Sequence, residues 1–290
     1  MASSLAPDTP PDAALRQIAA DCQADLLKYR AIVLASGRPI GIHQSRVALR
    51  RLRAALGLFR NAVPGETERR LVRALAAEAK WLAAECGPSR DLHVFLAESV
   101  EEMPAEVKRI AARLARTHLE RARAALSGAR FAAFGEQMQA LVEGKPAGGG
   151  RLDAFGQDRL EKRHAKVEHL GRKLASLDGE RLHRLRIAVK KLRYAAGFLQ
   201  PAFSGPGFDS ARAKAYIEAT VRLQGALGAL NDRAVAARML ADIAAAARPT
   251  EQVGRALRKL DKQVASGHKR RRHKLERAWK TFRKAGRFWK

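Results

Sequence analysis

The sequence is poor in several features that would place it in familiar classes of protein. It has only two cysteines, Cys22 and Cys86, which lie far apart and form no Cys-X-X-Cys pair. This argues against a disulfide framework or a zinc site, and it fits a protein of the reducing cytoplasm. No apolar run reaches the roughly 18 residues that a membrane-spanning helix needs. Residues 1–11 lack the basic and apolar regions of a signal peptide, so we expect a short disordered tail there.

Negative charge is also scarce. The 290 residues include 29 Asp and Glu against 56 Lys and Arg, which gives a formal net charge of +27. Solubility alone does not require so large an excess of one sign. The excess predicts a polyanionic partner, such as nucleic acid, an anionic membrane or a polyphosphate-like chain. The alternative is a merely basic surface, of the kind that a chain rich in Arg and Ala has without any ligand.

The apolar residues, 47% of the chain, recur every three or four positions and show no sustained alternation. This spacing predicts an all-α protein of antiparallel bundles joined by short loops. The glycine-rich segment at 144–150 is the predicted linker between a first half, 12–143, and a second half, 151–290. The predicted helices cover residues 12–35, 41–61, 66–86, 90–101, 104–127, 130–143, 151–176, 181–200, 208–229, 232–247 and 250–285.

The two halves share sequence. The stretch HQSRVALRRLR, from His43, aligns with HRLRIAVKKLR, from His183, at an offset of 140 residues. A second pair, LAAECGPSRD and LQGALGALND, aligns at an offset of 141, and two copies of LERA give a weaker third match. Matches that recur in order at nearly one spacing indicate an ancient duplication. We therefore predict two similar helical halves that pack as one body.

A helical wheel divides each repeated helix into an apolar face and a basic face. We call the basic face of each helix its stripe. The first stripe contains His43, Arg46, Arg50 and Arg53 and ends at Gly57, and the second contains His183, Arg186, Lys190 and Arg193 and ends at Gly197. Arg51 lies at the flank of the first stripe.

The charges of the first stripe are not neutralised within its helix, because no acidic residue lies three or four positions away. A solvated arginine face would explain one such helix, but it explains poorly why the stripe recurs. The aligned pair Arg50 and Lys190 has changed residue and kept its sign. Arginine binds two phosphate oxygens at once, and lysine acts as a compact charge. Gly57 and Gly197 either let an extended ligand approach the backbone or reflect close helix packing or simple tolerance.

These motifs resemble those of the CHAD family, the conserved histidine α-helical domain. The resemblance rests on the stretches that begin at His43 and His183 and on GPSRDLHVF, from Gly87, and it covers about residues 12–286. It implies two pseudo-symmetric antiparallel helical bundles around a basic central channel. It also implies the binding of inorganic polyphosphate and, in some members, association with polyphosphate granules.

The resemblance further implies which residues face the ligand. They are His43, Arg46, Arg50, Arg53, His183, Arg186, Lys190 and Arg193, with Arg51, Lys191 and Tyr194 as flanking residues. Arg90 and Asp91 match the Arg-Asp pair of the family, but the second half has Asn231 and Asp232 there, which leaves the role of Arg90 open. For Asp232 we favour N-capping of a helix after a glycine turn.

Two further histidines are candidates for the same cavity. His118 and His273 each lie beside one of the LERA copies. The remaining histidines do not form a metal site, because His164/His169 and His268/His273 are five residues apart, whereas one helix face needs three or four. We interpret His164, His169 and His268 as surface or interface residues.

We predict no catalytic activity, metal or cofactor. The acidic residues are scattered, and no helix holds a close Asp/Glu set for catalytic magnesium. No helix has the aromatic apolar face with a basic rim that binding to a membrane surface needs, so we expect no membrane partner.

Nucleic acid is the main alternative ligand. The C-terminal segment from Gly267 mixes basic and aromatic residues, as base-stacking surfaces do. Leu275, Trp279 and Phe282 recur at helical spacing, however, which more often indicates a core, and no RNA-recognition or helix-turn-helix signature is present. The favoured hypothesis is a cytoplasmic, non-catalytic protein that binds inorganic polyphosphate, with polyphosphate granules and their proteins as expected partners.

Overall fold

The computed structural model describes residues 5–99, 105–204, 208–247, 254–255, 258–259 and 268–290, and every regular element within them is a helix. This confirms the all-α fold class. The helices with described bounds are α1 (Pro11–Ser36), α2 (Pro39–Phe59), α3 (Glu66–Glu85), α4 (Gly87–Ser99), α5 (Ala105–Ser127), α6 (Ala129–Glu143), α7 (Leu152–Gly171), α8 (Gly179–Leu199), α9 (Ser210–Ala246) and α10 (His268–Lys284).

The first half is built around the antiparallel pair α1 and α2, with α3 and α6 packed beside them. Gly37 ends α1 in the left-handed conformation, with φ of 63°, and Pro39 begins α2 two residues later. A glycine tolerates this positive φ, and a proline suits the first turn of a helix. The predicted apolar face of α2 is buried, since Leu49 and Phe59 are both 0% exposed. The opposite face therefore remains for the first stripe.

In the second half, α8 packs between α7 and α9, and α10 packs on α9. The predicted apolar face of α8 is buried as well, with Val189, Leu192 and Leu199 all 0% exposed. The helix α7 stops at Gly171, short of the predicted end at 176, and only a short 3₁₀ turn follows at Leu174–Ser176. A Cβ atom at Gly171 would lie 2.2 Å from the indole of Trp279, so this glycine permits α10 to pack closely.

The prediction of two helices at 208–229 and 232–247 is wrong, because α9 is one continuous helix, Ser210–Ala246. Asp209 caps it by accepting a hydrogen bond from the Arg212 amide at 2.8 Å. Asp232 lies inside the helix, so the predicted N-capping role is also wrong. Of the predicted helix 250–285, the structure describes residues 254–255, 258–259 and 268–285, with α10 at His268–Lys284, and the rest lies outside the described residues.

The helix α9 is long enough to contact both halves of the chain. Its C-terminal part packs on α4 and α5 of the first half. Met239, Leu240 and Ile243 form an apolar cluster there with residues of those two helices, among them Leu92 and Phe95. This cluster is separate from the main core, and it fixes α4 against α9.

The described part of the predicted tail, residues 5–11, packs against the rest of the protein, contrary to the disorder predicted there. Leu5 is 5% exposed and belongs to the main core, and the Asp153 amide donates to the Pro7 carbonyl at 3.1 Å. Residues 144–150, the predicted linker, contain no helix, and Asp12 holds them in place. Its carboxylate accepts hydrogen bonds from the amides of residues 147 and 148, each at 2.9 Å.

Candidate anion-binding site

A cavity of about 350 Å³ lies between α2, α4, α8 and α9, and we call it the stripe cavity. Five of its lining residues are basic: His43, Arg46 and Arg50 from α2, Arg90 from α4 and Arg186 from α8. Asp91 is the one acidic side chain among the described residues that line it. The cavity therefore has an excess of positive charge contributed by both halves of the chain.

Arg50 joins the two stripes. Its Nε donates a hydrogen bond to the hydroxyl of Tyr194 on α8, at 2.7 Å. Tyr194 is buried, so this contact fixes where α2 meets α8. The flanking position predicted for Tyr194 thus has a concrete role, which is to hold a stripe arginine in place.

The basic residues of the stripe cavity repel one another, which makes their protonated forms less favourable. Burial lowers the pKa of His43 below its ordinary value, and the positive charges of Arg90, Arg50 and Arg46 lower it further. Burial also lowers the pKa of Arg46, although the nearby carboxylate of Asp91 opposes that change. A bound anion would remove much of this repulsion.

The second stripe lies in the same positive field. The pKa of Lys190 is lowered first by burial and then by Arg186, Arg53 and Arg50. Since Arg50 and Arg53 belong to α2, the two stripes are close enough to repel each other. Burial alone lowers the pKa of Arg53.

Arg46 and Arg90 each have a partner near the junction of α3 and α4. Arg46 donates through Nη1 to the carbonyl of Ala83, at the end of α3. Gly87 leaves room for this guanidinium, because a Cβ atom there would lie 3.0 Å from Nη1. Arg90 pairs with Asp91 at 3.1 Å. Asp91 lies within α4, so it orients an arginine and does not cap the helix.

Several predicted ligand residues do not line the stripe cavity, and Arg53 and Lys190 are among them. Arg51 turns toward α1 and pairs with Asp25 at 3.0 Å. The guanidinium of Arg193 lies 4.6 Å from the centre of the Tyr194 ring, and its buried Nε has no hydrogen-bond partner in the structure. His183 is exposed on α8. Lys191 lines a different cavity, on the other side of α8.

His118 and His273 do not line the stripe cavity. His118 is partly buried on α5. His273 is exposed on α10, where its Nδ1 lies 3.6 Å from Glu276 and where it borders a shallow surface pocket with Arg270 and Arg277. The expectation that these histidines share a cavity with His43 is therefore wrong.

The sequence did not predict that α9 forms one wall of the stripe cavity. Val235, Ala236 and Met239 line the stripe cavity opposite the basic residues. They carry no functional signal, because small apolar residues on a helix look like core. The structure also excludes one of the explanations given for Gly57 and Gly197. A Cβ atom added at either glycine would meet no atom within 4 Å. Close helix packing does not explain these glycines.

The aromatic residues of the C-terminal segment are not available for base stacking. Phe282 is 0% exposed, Trp289 is 3% and Trp279 is 8%. Phe282 and Trp289 pack against His164, which is itself buried, so of the two positions expected for His164, surface or interface, the structure gives the interface. His164 Nδ1 shares a hydrogen bond of 2.8 Å with the hydroxyl of Tyr216.

Among the described residues, none of the helices combines the length and the apolar composition that spanning a bilayer requires. In that same part, no three His, Cys, Asp or Glu side chains come close enough together to hold a metal ion.

Comparison with known proteins gives a family and solved structures that share the fold. The family model of the CHAD domain matches residues 17–241. The crystal structure of the CHAD domain from the plant Ricinus communis is similar with a TM-score of 0.81 and 25% identity, covering 99% of this chain and 96% of that one. PptA from Streptomyces chartreusis shares the fold, with a TM-score of 0.58 and 18% identity, over 96% of this chain and 99% of its own. No curated protein matches the chain.

Proposed function

The chain belongs to the CHAD domain family, and from this premise we propose that it binds linear inorganic polyphosphate in the stripe cavity without catalysing a reaction. The observation that carries the proposal is the meeting of the two stripes at Arg50. This arginine contacts Tyr194 of α8 and lies near enough to lower the pKa of both His43 and Lys190. A linear polyanion between α2 and α8 would offset charge on both helices at once.

The side chains suit a chain of phosphates. Arg46, Arg50 and Arg186 line the cavity and offer planar guanidinium groups that bind two oxygens each. Lys190 does not line it, but its nearness to Arg50 and Arg186 adds a compact charge beside the ligand. Binding would release counterions condensed on the polyanion, so the affinity should fall steeply with salt. By analogy with single-stranded nucleic acid, we expect log K to fall with log salt with a slope of about −0.7 per neutralised phosphate.

Polyphosphate fits the stripe cavity better than nucleic acid does. The aromatic side chains of the C-terminal segment are buried, so they offer no platform for bases. Apart from its charged residues, the described lining consists of apolar side chains such as Val94 and Met239, which cannot form hydrogen bonds with base edges. A polyanion without bases leaves no polar edge unsatisfied there.

The first test is a titration at matched salt. Long-chain polyphosphate, single-stranded DNA and duplex DNA are titrated against the protein at equal phosphate concentration. We expect polyphosphate to bind more tightly than either form of DNA. Equal or tighter binding of DNA would reject polyphosphate as the preferred ligand.

The second test reverses charge on the two stripes and, for comparison, at a distance from them. Arg50→Glu with Lys190→Glu should weaken polyphosphate binding far more than Lys274→Glu with Lys284→Glu on α10, where both lysines are exposed. Circular dichroism checks the fold, and the neutral pair Arg50→Gln and Lys190→Gln repeats the comparison with less disturbance. Equal effects at both places would mean that the charge acts diffusely.

We also propose that the protein associates with polyphosphate granules in the cytoplasm. The same charge-reversed variants offer a direct test by fluorescence microscopy of a tagged protein. The α10 variant should remain on granules, whereas the variant at Arg50 and Lys190 should spread evenly through the cell. Granule association that survives loss of the stripe charges would point to a protein partner instead.

A further inference from the structure

The residues that follow α10 fold back over α7 and α9, and we call residues 286–290 the strap. Phe288 and Trp289 are its anchors, with 6% and 3% of their surface exposed. The ring of Trp289 meets that of Tyr216 on α9 edge-on, with 4.8 Å between the centroids, and Phe288 packs on Phe203 at 5.5 Å. None of the strap residues lines the stripe cavity, so the binding of an anion there does not account for them.

Side chains hold the strap in place. Among the described residues, no backbone-to-backbone hydrogen bond joins residues 286–290 to the rest of the protein. Three strap side chains instead converge on one carboxylate of α7, that of Glu161. Arg287 donates to its Oε1 at 2.7 Å, Trp289 donates to its Oε2 at 3.1 Å, and Lys290 Nζ lies 3.9 Å from Oε2. A segment held in this way can open locally without the loss of any helix.

A buried histidine lies beneath the strap. His164, three residues after Glu161 on α7, is 5% exposed. The centroid of its ring lies 5.9 Å from that of Trp289 and 5.3 Å from that of Phe282. Its Nδ1 is 2.8 Å from the hydroxyl of Tyr216, and the two groups share a hydrogen bond. The strap therefore covers a side chain whose charge changes near physiological pH.

This hydrogen bond suits the neutral form of the histidine. Tyr216 is 0% exposed, and its hydroxyl has no other hydrogen-bond partner among the described residues. Burial raises the pKa of the Tyr216 hydroxyl, so the hydroxyl keeps its proton, and that proton needs an acceptor. Neutral His164 provides an acceptor at Nδ1, whereas a protonated imidazole carries a donor on both nitrogens. Protonation of His164 would therefore leave a buried hydroxyl proton unsatisfied.

The charged groups around His164 act in both directions, and burial decides between them. Burial lowers the pKa of His164, Arg287 and Lys290 of the strap lower it further, and two carboxylates of α7 raise it. These are Glu168, whose Oε2 lies 3.6 Å from Nε2, and Glu161. From α9 and α10, the described residues that contact the ring are the two aromatic side chains named above. The docked strap thus favours neutral histidine.

We propose that the strap is an acid-sensitive switch, which is docked while His164 is neutral and undocks when His164 takes up a proton. The stability of the docked state is fully present above the ordinary pKa of histidine. It is lost as the pH falls from that value toward the lowered pKa of His164. Undocking exposes the two aromatic anchors and frees the two strap cations from Glu161. The switch does not involve the stripes, so it operates whether or not polyphosphate binds there.

Trp289 reports directly on the strap, because its indole N–H is bonded to Glu161. Two-dimensional proton–nitrogen NMR spectra of the whole protein resolve this group, and Trp289→Phe assigns its signal. We expect the signal to move toward the position of an indole in water between about pH 8 and about pH 5. The indole of Trp81, on α3, should not move. If both signals move with one midpoint, the whole protein unfolds and the strap is not a separate switch. If neither moves, the strap does not undock.

Replacement of His164 tests which group senses the acid. His164→Gln removes the titration and keeps an acceptor for Tyr216, and His169→Gln, at an exposed position of the same helix, is its control. The movement of the Trp289 signal should be lost in His164→Gln and unchanged in His169→Gln. If it persists in His164→Gln with the midpoint of the wild type, a carboxylate is titrating and the switch is overturned.

Tyr216→Phe gives the same test with less disturbance of the packed rings. It removes the hydroxyl that favours neutral His164, so the midpoint of the Trp289 movement should rise to a higher pH. An unchanged midpoint would mean that the hydrogen bond between His164 and Tyr216 does not control the strap.

Glu161→Gln tests how the strap is held. Asp158→Asn is its control, because it removes the same charge from α7 where that carboxylate pairs with Arg159 and Lys162. We expect Glu161→Gln to raise the undocked fraction at neutral pH by roughly tenfold, the equivalent of one lost charge-assisted hydrogen bond. Asp158→Asn should leave that fraction as it is. Equal fractions in both variants would overturn the role of Glu161 as the site where the strap docks.

Discussion

At the scale of single residues, the site is a set of cations held in places that disfavour their charge. Burial and repulsion both lower the pKa of His43 and of Lys190. Such sites are common where a protein trades stability for binding. A change at such a site should therefore affect the stability of the free protein and the binding of an anion in opposite directions.

The first prediction concerns His43 and pH. In the free protein the pKa of His43 is lowered by burial and by Arg90, Arg50 and Arg46, with Asp91 and Arg186 as further charged groups in the cavity. A bound polyanion stabilises the protonated form, so the complex takes up a proton and affinity rises as pH falls below the ordinary histidine range. Calorimetry in buffers of different ionisation enthalpy measures this uptake.

His43→Gln is the control for that prediction. It should remove the pH-dependent gain while it preserves most of the affinity at neutral pH, where His43 is already neutral. The sign for folding is opposite, because the unfolded chain binds the proton more readily than the free folded protein. Stability should therefore fall as pH drops from the unfolded pKa of His43 to its lowered folded value. A gain that survives in His43→Gln would contradict the assignment.

The second prediction concerns Lys190. Because burial and three neighbouring arginines disfavour its charge, Lys190→Gln should raise the melting temperature of the free protein and weaken polyphosphate binding. Lys274→Gln, at an exposed position, should change neither quantity measurably. Calorimetric unfolding and a titration of each variant give both numbers. A lower melting temperature for Lys190→Gln would mean that packing of its aliphatic stem outweighs the repulsion.

At the scale of helices, the sequence allows a good prediction of the elements that face the ligand and a poor one of the element that closes the cavity. The stripes of α2 and α8 follow from a helical period that also buries Leu49 and Leu192 on the opposite faces. Gly228 and the Asn-Asp pair after it are local break signals, yet α9 continues through them. Packing at both ends of α9, on α8 and on α5, outweighs a cost of about 1 kcal/mol for one glycine.

The cavity that Lys191 lines, where the end of α2 meets α7 and α8, was not predicted, for a different reason. The cations of α7 alternate with acidic residues along the chain, as in RLEKRHAKVE, which is typical of a solvated helix face. Only the fold shows that neither Asp158 nor Glu161 lines this cavity. Asp158 pairs with Arg159 and Lys162 at its edge, and Glu161 pairs with Arg287 at 2.7 Å. Charge compensation is a three-dimensional property, and the sequence spacing of the acids does not reveal it.

The third prediction tests how α9 supports the site. Ile243 is 0% exposed in the cluster that fixes α4 against α9, so Ile243→Ala should lower the free energy of unfolding by about 2–5 kcal/mol. Hydrogen exchange should speed up in α4 and α5 more than in α1 and α2, because the cluster is separate from the main core. Val221→Ala is the control, since Val221 is 44% exposed on the same helix. Uniform acceleration across all helices would mean that the two clusters unfold as one unit.

At the scale of the whole molecule, a net charge of +27 makes salt act in opposite directions on the free and bound states. In the free protein, salt screens the repulsion among the stripe residues and should stabilise the fold. In the complex, salt competes for the same charges and weakens binding. As salt rises, the free protein should become more stable and the complex less so. The stabilisation that a polyanion confers should therefore decrease for both reasons.

The fourth prediction follows from this opposition. At low salt, polyphosphate at about 100 times its Kd should stabilise the folded protein by about 2.7 kcal/mol. At roughly 2–4 °C per kcal/mol, that is a rise of several degrees in melting temperature. As salt increases, the melting temperature of the free protein should climb and that of the mixture should fall until the two curves meet. The variant at Arg50 and Lys190 should show little difference between the curves at any salt concentration. If its melting temperature with polyphosphate tracks that of the wild type, the net charge of the surface, and not the paired stripes, binds the polyanion.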